Sequence, residues 1–194
     1  MKELKAVLLA FVVSIASHAL ADSMASEDLT IVPGASMAGV SLGPNGLQEL
    51  KKLGKPYRVD RGMSQTRQVW KWSRPEGRLD TFFVHTVNNG VIDAKPSDGL
   101  TIDLIRSTVA RFKTSDGIGV GKTLDEIRRD FPDAAPVDGT PTIFDDVKRG
   151  IAFEFSSAPI SHSICIALMV HPQGRSNIAT QEQVAEVLEH GSKE

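Results

Sequence analysis

Cysteine is nearly absent from this chain of 194 residues, which contains only Cys165. An internal disulfide is therefore impossible, although an oxidising compartment would permit one. Cys165 stands in the apolar stretch 163–168, SICIAL, where we expect it to be a small buried side chain of a strand. A catalytic thiol would need a positioned histidine, and His162, three residues away along a strand, would lie on the opposite face.

Long apolar runs are also absent after residue 21, so no later stretch predicts a membrane helix. Before that point, a basic start, the short apolar run 6–15 and the sequence ALA at 19–21 predict a secretory signal peptide over residues 1–21. An uncleaved anchor is the alternative. After cleavage we expect a flexible lead at 22–30, no membrane insertion and, without a cysteine at the new N-terminus, no lipid anchor. The protein would then be exported, to the periplasm or to the extracellular medium.

Positive charge is not in excess, because 22 Lys and Arg residues oppose 24 Asp and Glu residues, for a formal net charge of −2. A nucleic-acid-binding surface would need a basic patch, so we expect no nucleic-acid partner. The length fits one domain or two small domains that pack together.

Catalytic and metal-binding motifs are missing as well. The histidines show no metal spacing such as His-x-x-x-His, and the acidic residues lack the spacing of a calcium loop. We therefore expect no metal, no cofactor and no catalytic residue. The alternative is a hydrolase that acts on envelope polymers, which would need titratable side chains converging in a cleft. The titratable residues that could form such a cleft are Asp145, Asp146, Glu154 and His162.

The glycine-rich stretch 117–123, GIGVGKT, ends like a phosphate-binding loop. However, Asp116 occupies the position of the first glycine of a Walker A loop, and Lys122 replaces the last glycine of the dinucleotide pattern. A strand end followed by a helix start explains more of the stretch, since Thr123 and Glu126 have the spacing of a capping box. We therefore expect a helix here and not a nucleotide site.

Two stretches of the chain follow the same plan, a glycine-marked strand and then a short capped helix. Residues 39–43, GVSLG, align without gaps with residues 117–121, GIGVG, and the apolar positions of the two helices coincide after one deletion. Asn45 is the predicted cap of the first helix. Because self-similarity suggests duplication, we expect one structural unit written twice.

The sequence therefore predicts an α+β fold of two tandem repeats, each a short helical segment packed on an antiparallel β-meander, plus a C-terminal helix. The first repeat is expected at 31–98, the second at 99–175, and the C-terminal helix within 176–194. The dipeptide Asn89-Gly90 between two apolar runs predicts a β-hairpin in the first repeat.

The best candidates for binding lie in the middle of the first repeat. Trp70 and Trp72 alternate with polar residues and should lie on one face of a strand, with Arg74 close by. Aromatic residues and arginine dominate protein interfaces, so Trp70, Trp72 and Arg74 are the candidate protein-binding residues. The alternative is that the tryptophans belong to the core, because Trp is highly buried on average. Phe82 and Phe83 should point to opposite faces of the next strand.

The stretches 39–43, 53–56 (LGKP) and 114–127 resemble a group of exported bacterial proteins. These proteins share the fold of the beta-lactamase inhibitory proteins and of the small (SmpA/OmlA-like) lipoproteins of the outer-membrane barrel-assembly machinery. By order of elements the resemblance covers about residues 31–174. The lipoprotein cysteine and the cysteine pairs of the inhibitory proteins are absent, and Phe131-Pro132 replaces the expected aliphatic-Gly ending of the second unit.

The resemblance implies a helix layer on a curved antiparallel sheet in each repeat, and a non-enzymatic role in binding a protein. The resulting hypothesis is an exported protein-binding module of the bacterial envelope or secretome. The alternatives are an envelope-polymer hydrolase and a structural envelope protein without a single partner.

Overall fold

The computed structural model describes residues 29–62, 64–74, 76–88, 99–156 and 163–193. These residues form a mixed α+β structure of twelve strands and three short helices, the last of them at the C-terminal end, as predicted. The predicted signal peptide, the Asn89-Gly90 hairpin and His162 lie outside the described residues.

The helices are α1 (Gly46–Leu50), which continues into a 3-10 helix (Lys51–Leu53), α2 (Leu124–Asp130) and α3 (Gln181–His190). The strands are β1 (Thr30–Val32), β2 (Ser36–Met37), β3 (Val40–Ser41), β4 (Arg58–Gly62), β5 (Gln65–Ser73), β6 (Leu79–Asn88), β7 (Leu100–Ser107), β8 (Lys113–Thr114), β9 (Ala135–Val137), β10 (Thr140–Asp146), β11 (Ile151–Phe155) and β12 (Cys165–Val170).

Eight strands form one antiparallel sheet in the order β4-β5-β6-β7-β12-β11-β10-β9. Strand β7 pairs with β6 over most of its length and with β12 on its other edge, so it joins the two halves of the sheet. The strand at 100–107, predicted as the start of the second unit, thus adds to the strands of the first. The remaining strands form a small sheet, β3-β2-β1-β8, in which β1 and β8 run parallel.

The large sheet is covered on both faces. Its inner face, defined by Phe82, Ile105 and Phe153, packs in one core with residues of the small sheet, α1 and α2. Its outer face, which carries Phe83 and Met169, packs in a second core with buried residues of α3. Phe82 and Phe83 therefore point to opposite faces, as expected from the period of two along a strand.

Two of the three helices, α2 and α3, begin at a capping box that their local sequences predict. Thr123 accepts from the Glu126 amide while the Glu126 carboxylate accepts from the Thr123 amide, and Thr180 with Gln183 does the same at α3. The hydrogen bond from Lys122 and those from Thr123 hold the pKa of Glu126 at about 2. The stretch that resembled a phosphate loop thus serves as a helix start.

The predicted cap at Asn45 is wrong. Asn45 makes no side-chain hydrogen bond to the start of α1, because its own backbone is already helical, with φ −65° and ψ −35°. A capping side chain normally acts from an extended residue that precedes the first turn. In the described part of the chain, no helix is long and apolar enough to cross a membrane.

Candidate functional site

Trp70 lies on β5 with only 4% of its surface exposed. Its indole N–H donates to the carbonyl oxygen of Gly54 at 3.1 Å, and its ring meets Phe82 edge-on with 6.3 Å between centroids. Gly54 ends the 3-10 helix with φ +72°, a conformation that favours glycine. Trp70 therefore fastens the α1 segment to the inner face of the sheet.

One edge of the Trp70 ring also forms the base of a groove, the Trp70 groove, with a volume of about 430 Å³. Its apolar lining consists of Leu47, Leu50, Pro56 and Trp70. Its other lining residues are Lys51, Gly54, Lys55 and Gln68. An apolar concavity with a few polar groups around it is the usual form of a binding site.

Positive charge is concentrated around the Trp70 groove. Lys51 and Lys55 line the groove, Lys52 is exposed next to Lys51, and the one acid of residues 46–56 is Glu49. The Glu49 carboxylate accepts a hydrogen bond from the Ser41 amide at 2.6 Å, which engages one of its oxygens within the fold. The surface around the groove is therefore cationic, although the whole chain is slightly acidic.

Two more cations meet at Tyr57, but they belong to the outer side of the sheet: Lys71 alternates with Trp70 along β5, and Arg58 donates to the carbonyl of Leu188 on α3 at 3.3 Å. The Lys71 Nζ lies 3.4 Å from the centroid of the Tyr57 ring, and the Arg58 guanidinium carbon lies 4.8 Å from it. Hydrogen bonding with Lys71, and then the charge of Lys71, lower the pKa of the Tyr57 phenol. Both cations are thus held against an exposed aromatic ring by cation–π attraction.

The other two predicted binding residues do not line the Trp70 groove. Trp72 lies on the same face of β5 as Trp70 and packs, half-buried, against the inner core. Arg74 donates to both carboxylate oxygens of Asp80, with an Nε–Oδ2 distance of 2.8 Å, and to the carbonyl of Thr108 at 3.3 Å. The hydrogen bond with Asp80 raises the pKa of Arg74. The guanidinium of Arg74 is therefore occupied within the fold.

The carboxylates considered for a hydrolase do not converge. Asp145 accepts from the His171 ring at 2.8 Å and from the Ser176 hydroxyl at 2.6 Å, and all of these contacts lie on the outer face near the start of the C-terminal segment. Asp146 accepts from the Arg149 amide at 3.1 Å. Because His171 is fully buried and its other ring nitrogen faces the carbonyl of Pro172, the His171 ring has no access to a substrate.

Glu154 is occupied by Arg106. The carboxylate accepts from Arg106 Nη2 at 2.6 Å and from the amide of Gln181 at 3.2 Å, while the side chain of Gln181 accepts from the same guanidinium at 2.8 Å. Sequence reasoning missed this pair, whose signal is charge within two largely apolar strands: Arg106 in LTIDLIRS, which also carries Asp103, and Glu154 in IAFEF. The contact ties α3 to the sheet and engages the Glu154 carboxylate.

A smaller cavity of about 210 Å³ lies on the outer face between the sheet and α3. His85, in its wall, is bonded at both ring nitrogens, to Asp103 at 2.7 Å and to Gln65 at 2.8 Å. Asn177 donates to the same Asp103 carboxylate at 2.9 Å. These polar groups satisfy one another, and they anchor the C-terminal segment as the Glu154 and Asp145 contacts do.

Cys165 is fully buried on β12, and its Sγ lies 3.2 Å from the carbonyl oxygen of Ala167. Burial raises the pKa of the thiol to about 12. The expectation of a small buried side chain is confirmed. Within the described residues, no group of three or more His, Cys, Asp or Glu side chains could hold a metal ion.

Comparisons with known proteins assign no family. No family model matches the chain, and no curated protein matches it. Among solved structures, the chain is similar to the crystal structure of the uncharacterized protein YfeY from Escherichia coli, with 15% sequence identity and a TM-score of 0.35, covering 73% of this chain and 97% of that one. A likeness of this degree carries no argument about function.

Proposed function

We propose that this protein is an exported, non-enzymatic module of the bacterial envelope or secretome that binds another protein through the Trp70 groove. The observation that carries the proposal is an apolar concavity with an aromatic base, set in the most cationic stretch of a slightly acidic chain. Such a combination suits a protein ligand, because buried aromatic and apolar contacts dominate interface energies while charges select the partner.

The alternative of a hydrolase has less support. Asp145 is bound to His171 and Ser176, and Glu154 to Arg106, so neither carboxylate is available to activate water. Export is supported by the signal-peptide pattern at 1–21. A structural role without a single partner is the remaining alternative, and it is distinguished by experiment below.

We also propose that the fold consists of two repeats. Gly39 and Gly43 have positive φ angles of 72° and 85°, and the aligned Gly117 and Gly121 have 79° and 94°. The same backbone conformation at both aligned pairs supports a duplicated turn. Each turn is followed by a short helix, and this order agrees with the proposed kinship to the beta-lactamase-inhibitory and barrel-assembly proteins.

Backbone contacts of the two turns support the same proposal. Gly43 donates to the carbonyl of Ile102 on β7 at 2.8 Å, and Gly121 donates to the carbonyl of Cys165 on β12 at 2.8 Å. Strands β7 and β12 are the last strands of the two halves and lie side by side at the centre of the sheet. This pattern favours a boundary after Ser107 over one at residue 98.

The proposal is tested by site-specific photocrosslinking. Because Cys165 is buried, a cysteine introduced at Gln48, which is exposed on α1 beside the groove, is the accessible thiol for a benzophenone maleimide. The matched control carries the cysteine at Asp138, which is exposed between β9 and β10 at the far edge of the sheet. Both labelled proteins are irradiated in envelope and secreted extracts of the source cells.

We expect one discrete protein adduct with Gln48→Cys that is absent with Asp138→Cys and is lost when unlabelled protein competes. Mass spectrometry then identifies the partner. Equal labelling at both positions, or no adduct at either, would count against the Trp70 groove as a protein-binding surface and favour the structural alternative.

A further inference from the structure

We propose that the Trp70 groove binds a short acidic segment of the partner, with one large apolar side chain in the groove and carboxylates on either side of it. The inference rests on the proposed protein-binding function and names the chemistry of its partner. Three features carry it: an apolar base, unneutralised lysines at the rim, and a backbone edge that is already occupied.

The base of the groove offers apolar contact to a ligand and no hydrogen-bond donor from Trp70. Leu50 and Trp70 are 6% and 4% exposed, so they present only the edges of their side chains, and Leu47 and Pro56 are half-buried beside them. The single polar atom of Trp70, its indole nitrogen, is already used by Gly54. A ligand side chain that enters the groove therefore gains apolar contact and finds no donor in the indole.

The rim supplies charge that the fold leaves unpaired. Lys51 donates to the neutral side chain of Gln48 at 2.9 Å. Within the described part of the chain, no carboxylate lies within ion-pair distance of Lys51, Lys52 or Lys55. Lysines without a carboxylate on a concave surface favour a ligand that brings its own acids.

The neighbouring sheet edge limits how the ligand is held. Val59 on the edge strand β4 donates to Ser192 at 3.0 Å and accepts from it at 2.8 Å. Added-strand pairing at this point would have to displace the C-terminal residues. Recognition is therefore assigned to side chains, with Lys51 and Lys55 of the groove lining available to the acids of the ligand.

An anionic bilayer would also attract these lysines, but the shape of the site favours a peptide. Proteins that lie on membranes push aromatic and aliphatic side chains out into the headgroup region. Here Trp70 lies at the base of a groove of about 430 Å³ and is buried. Such a concavity accepts a projecting side chain and does not insert one.

The test uses two fluorescein-labelled hexapeptides, Glu-Glu-Leu-Phe-Glu-Glu and Gln-Gln-Leu-Phe-Gln-Gln, titrated with the purified protein and followed by anisotropy. The charge variant is Lys51→Gln/Lys55→Gln. The matched control, Arg129→Gln/Lys148→Gln, makes the same change in net charge on α2 and on the β10–β11 turn, where both side chains are exposed.

We expect the acidic peptide to bind the unmodified protein and to shift the NMR signal of the Trp70 indole N–H. Its affinity for the charge variant should be about fivefold lower, which is the loss expected from two exposed ion pairs. The control variant should bind it like the unmodified protein, and the glutamine peptide should bind more weakly.

Equal affinity for the two peptides would overturn the acidic-ligand proposal while keeping the groove as a protein-binding surface. Equal loss in the charge and control variants would overturn it in favour of a general charge effect. The same proteins are also tested on vesicles of equal parts phosphatidylglycerol and phosphatidylcholine. If no peptide binds, while the unmodified protein binds the vesicles and the charge variant does not, the proposal would be overturned in favour of a membrane ligand. If neither the peptides nor the vesicles bind, the acidic-ligand proposal is overturned. The protein-binding function is then decided separately, by the crosslinking result.

Discussion

At the residue scale, the most consequential feature is a buried charge. Arg106 is fully buried on β7, and its guanidinium is held by Glu154 and by the side chain of Gln181. Its Nη1 atom lacks a hydrogen-bond partner among the described residues. A charge in this position is tolerable only while the opposite charge stays beside it.

We expect Glu154→Leu to lower the free energy of unfolding by about 3 kcal/mol or more, because it leaves Arg106 charged and unpaired in the interior. The double variant Arg106→Met/Glu154→Leu should recover much of that loss, since it removes both charges together. Urea unfolding followed by circular dichroism measures both values. Additive losses in the double variant would show that the two side chains do not act as a pair.

His171 makes stability depend on pH. Desolvation acts to lower the pKa of its ring, but the hydrogen bond with Asp145, the charge of Asp145 and the backbone of Pro172 and Arg175 outweigh it and raise the pKa. A raised folded-state pKa means that the stabilising contribution is complete below about pH 6.5, the pKa of an unfolded histidine, and is lost as pH rises through the folded value.

We therefore expect the stability difference between the unmodified protein and His171→Gln to be largest at mildly acidic pH and to shrink toward alkaline pH. Chemical unfolding at a series of pH values measures the difference, and NMR titration of the His171 ring gives its folded-state pKa directly. A difference that grows with pH, or a ring pKa below about 6.5, would contradict the assignment.

At the scale of elements, two turns join the small sheet to the large one. Gly150, in the β10–β11 turn, has φ +72° and accepts a hydrogen bond from the Gly34 amide at 3.0 Å. A Cβ at Gly150 would lie 2.3 Å from the carbonyl oxygen of His171 and 2.8 Å from the Cα of Gly34. This contact is between backbones, so neither partner can move aside cheaply.

Gly150→Ala should therefore destabilise the protein well beyond the about 1–2 kcal/mol that a left-handed conformation costs a residue with a side chain. Gly174→Ala is the matched control, because Gly174 has φ +76° and open space around its Cβ position. Thermal and urea unfolding of both variants measure the gap between them. Equal losses would show that backbone conformation alone, and not close approach, decides the cost at Gly150.

Polar contacts determine where the C-terminal segment lies on the large sheet. Three sheet carboxylates, Asp145, Asp103 and Glu154, accept hydrogen bonds from Ser176, Asn177 and Gln181 in turn. Each carboxylate also pairs with a basic side chain: Asp145 with His171, Asp103 with His85 and Glu154 with Arg106. Val184 and Val187 then bury the apolar side of α3 on the outer face. Hydrogen bonds therefore fix the position of the segment at its start, and burial of apolar side chains stabilises the helix along its length.

At the scale of the whole molecule, the two halves share one sheet and one inner core. That core includes Trp70 and Phe82 from the first half and Phe153 and Leu168 from the second. Strands β7 and β12 pair through Ile105 opposite Val170, Arg106 opposite Met169 and Ser107 opposite Leu168. We expect the halves to unfold together, because neither can leave without exposing the shared core.

Cys165 reports on this cooperativity without any substitution, since it is the single thiol and is buried on β12, one of the two central strands. We expect its labelling by a thiol reagent in urea to give the same free energy of opening as global unfolding by circular dichroism, because a buried thiol with a raised pKa reacts only after the sheet opens. A clearly lower free energy from labelling would show that the second half opens alone.

Much of the local structure was predictable. The capping boxes at Thr123 and Thr180, the alternation of Phe82 and Phe83, and the burial of Cys165 depend on neighbours within a few residues, and all agree with the structure. The candidate site was predictable only in part. Trp70 lines a groove, whereas Arg74 is engaged by Asp80 and Thr108, because nearness in sequence does not say which partner a side chain meets.

The sequence by itself determined the α+β class, the C-terminal helix and the starts of α2 and α3, because hydrogen bonds between near neighbours and the periods of helix and strand are written locally. Only the tertiary structure decided that β7 lies beside β12, that Arg106 meets Glu154, and that Leu47 and Pro56 enclose the exposed edge of Trp70. These contacts join distant parts of the chain. Their choice depends on how whole layers pack and bury apolar surface, and no short sequence pattern records that competition.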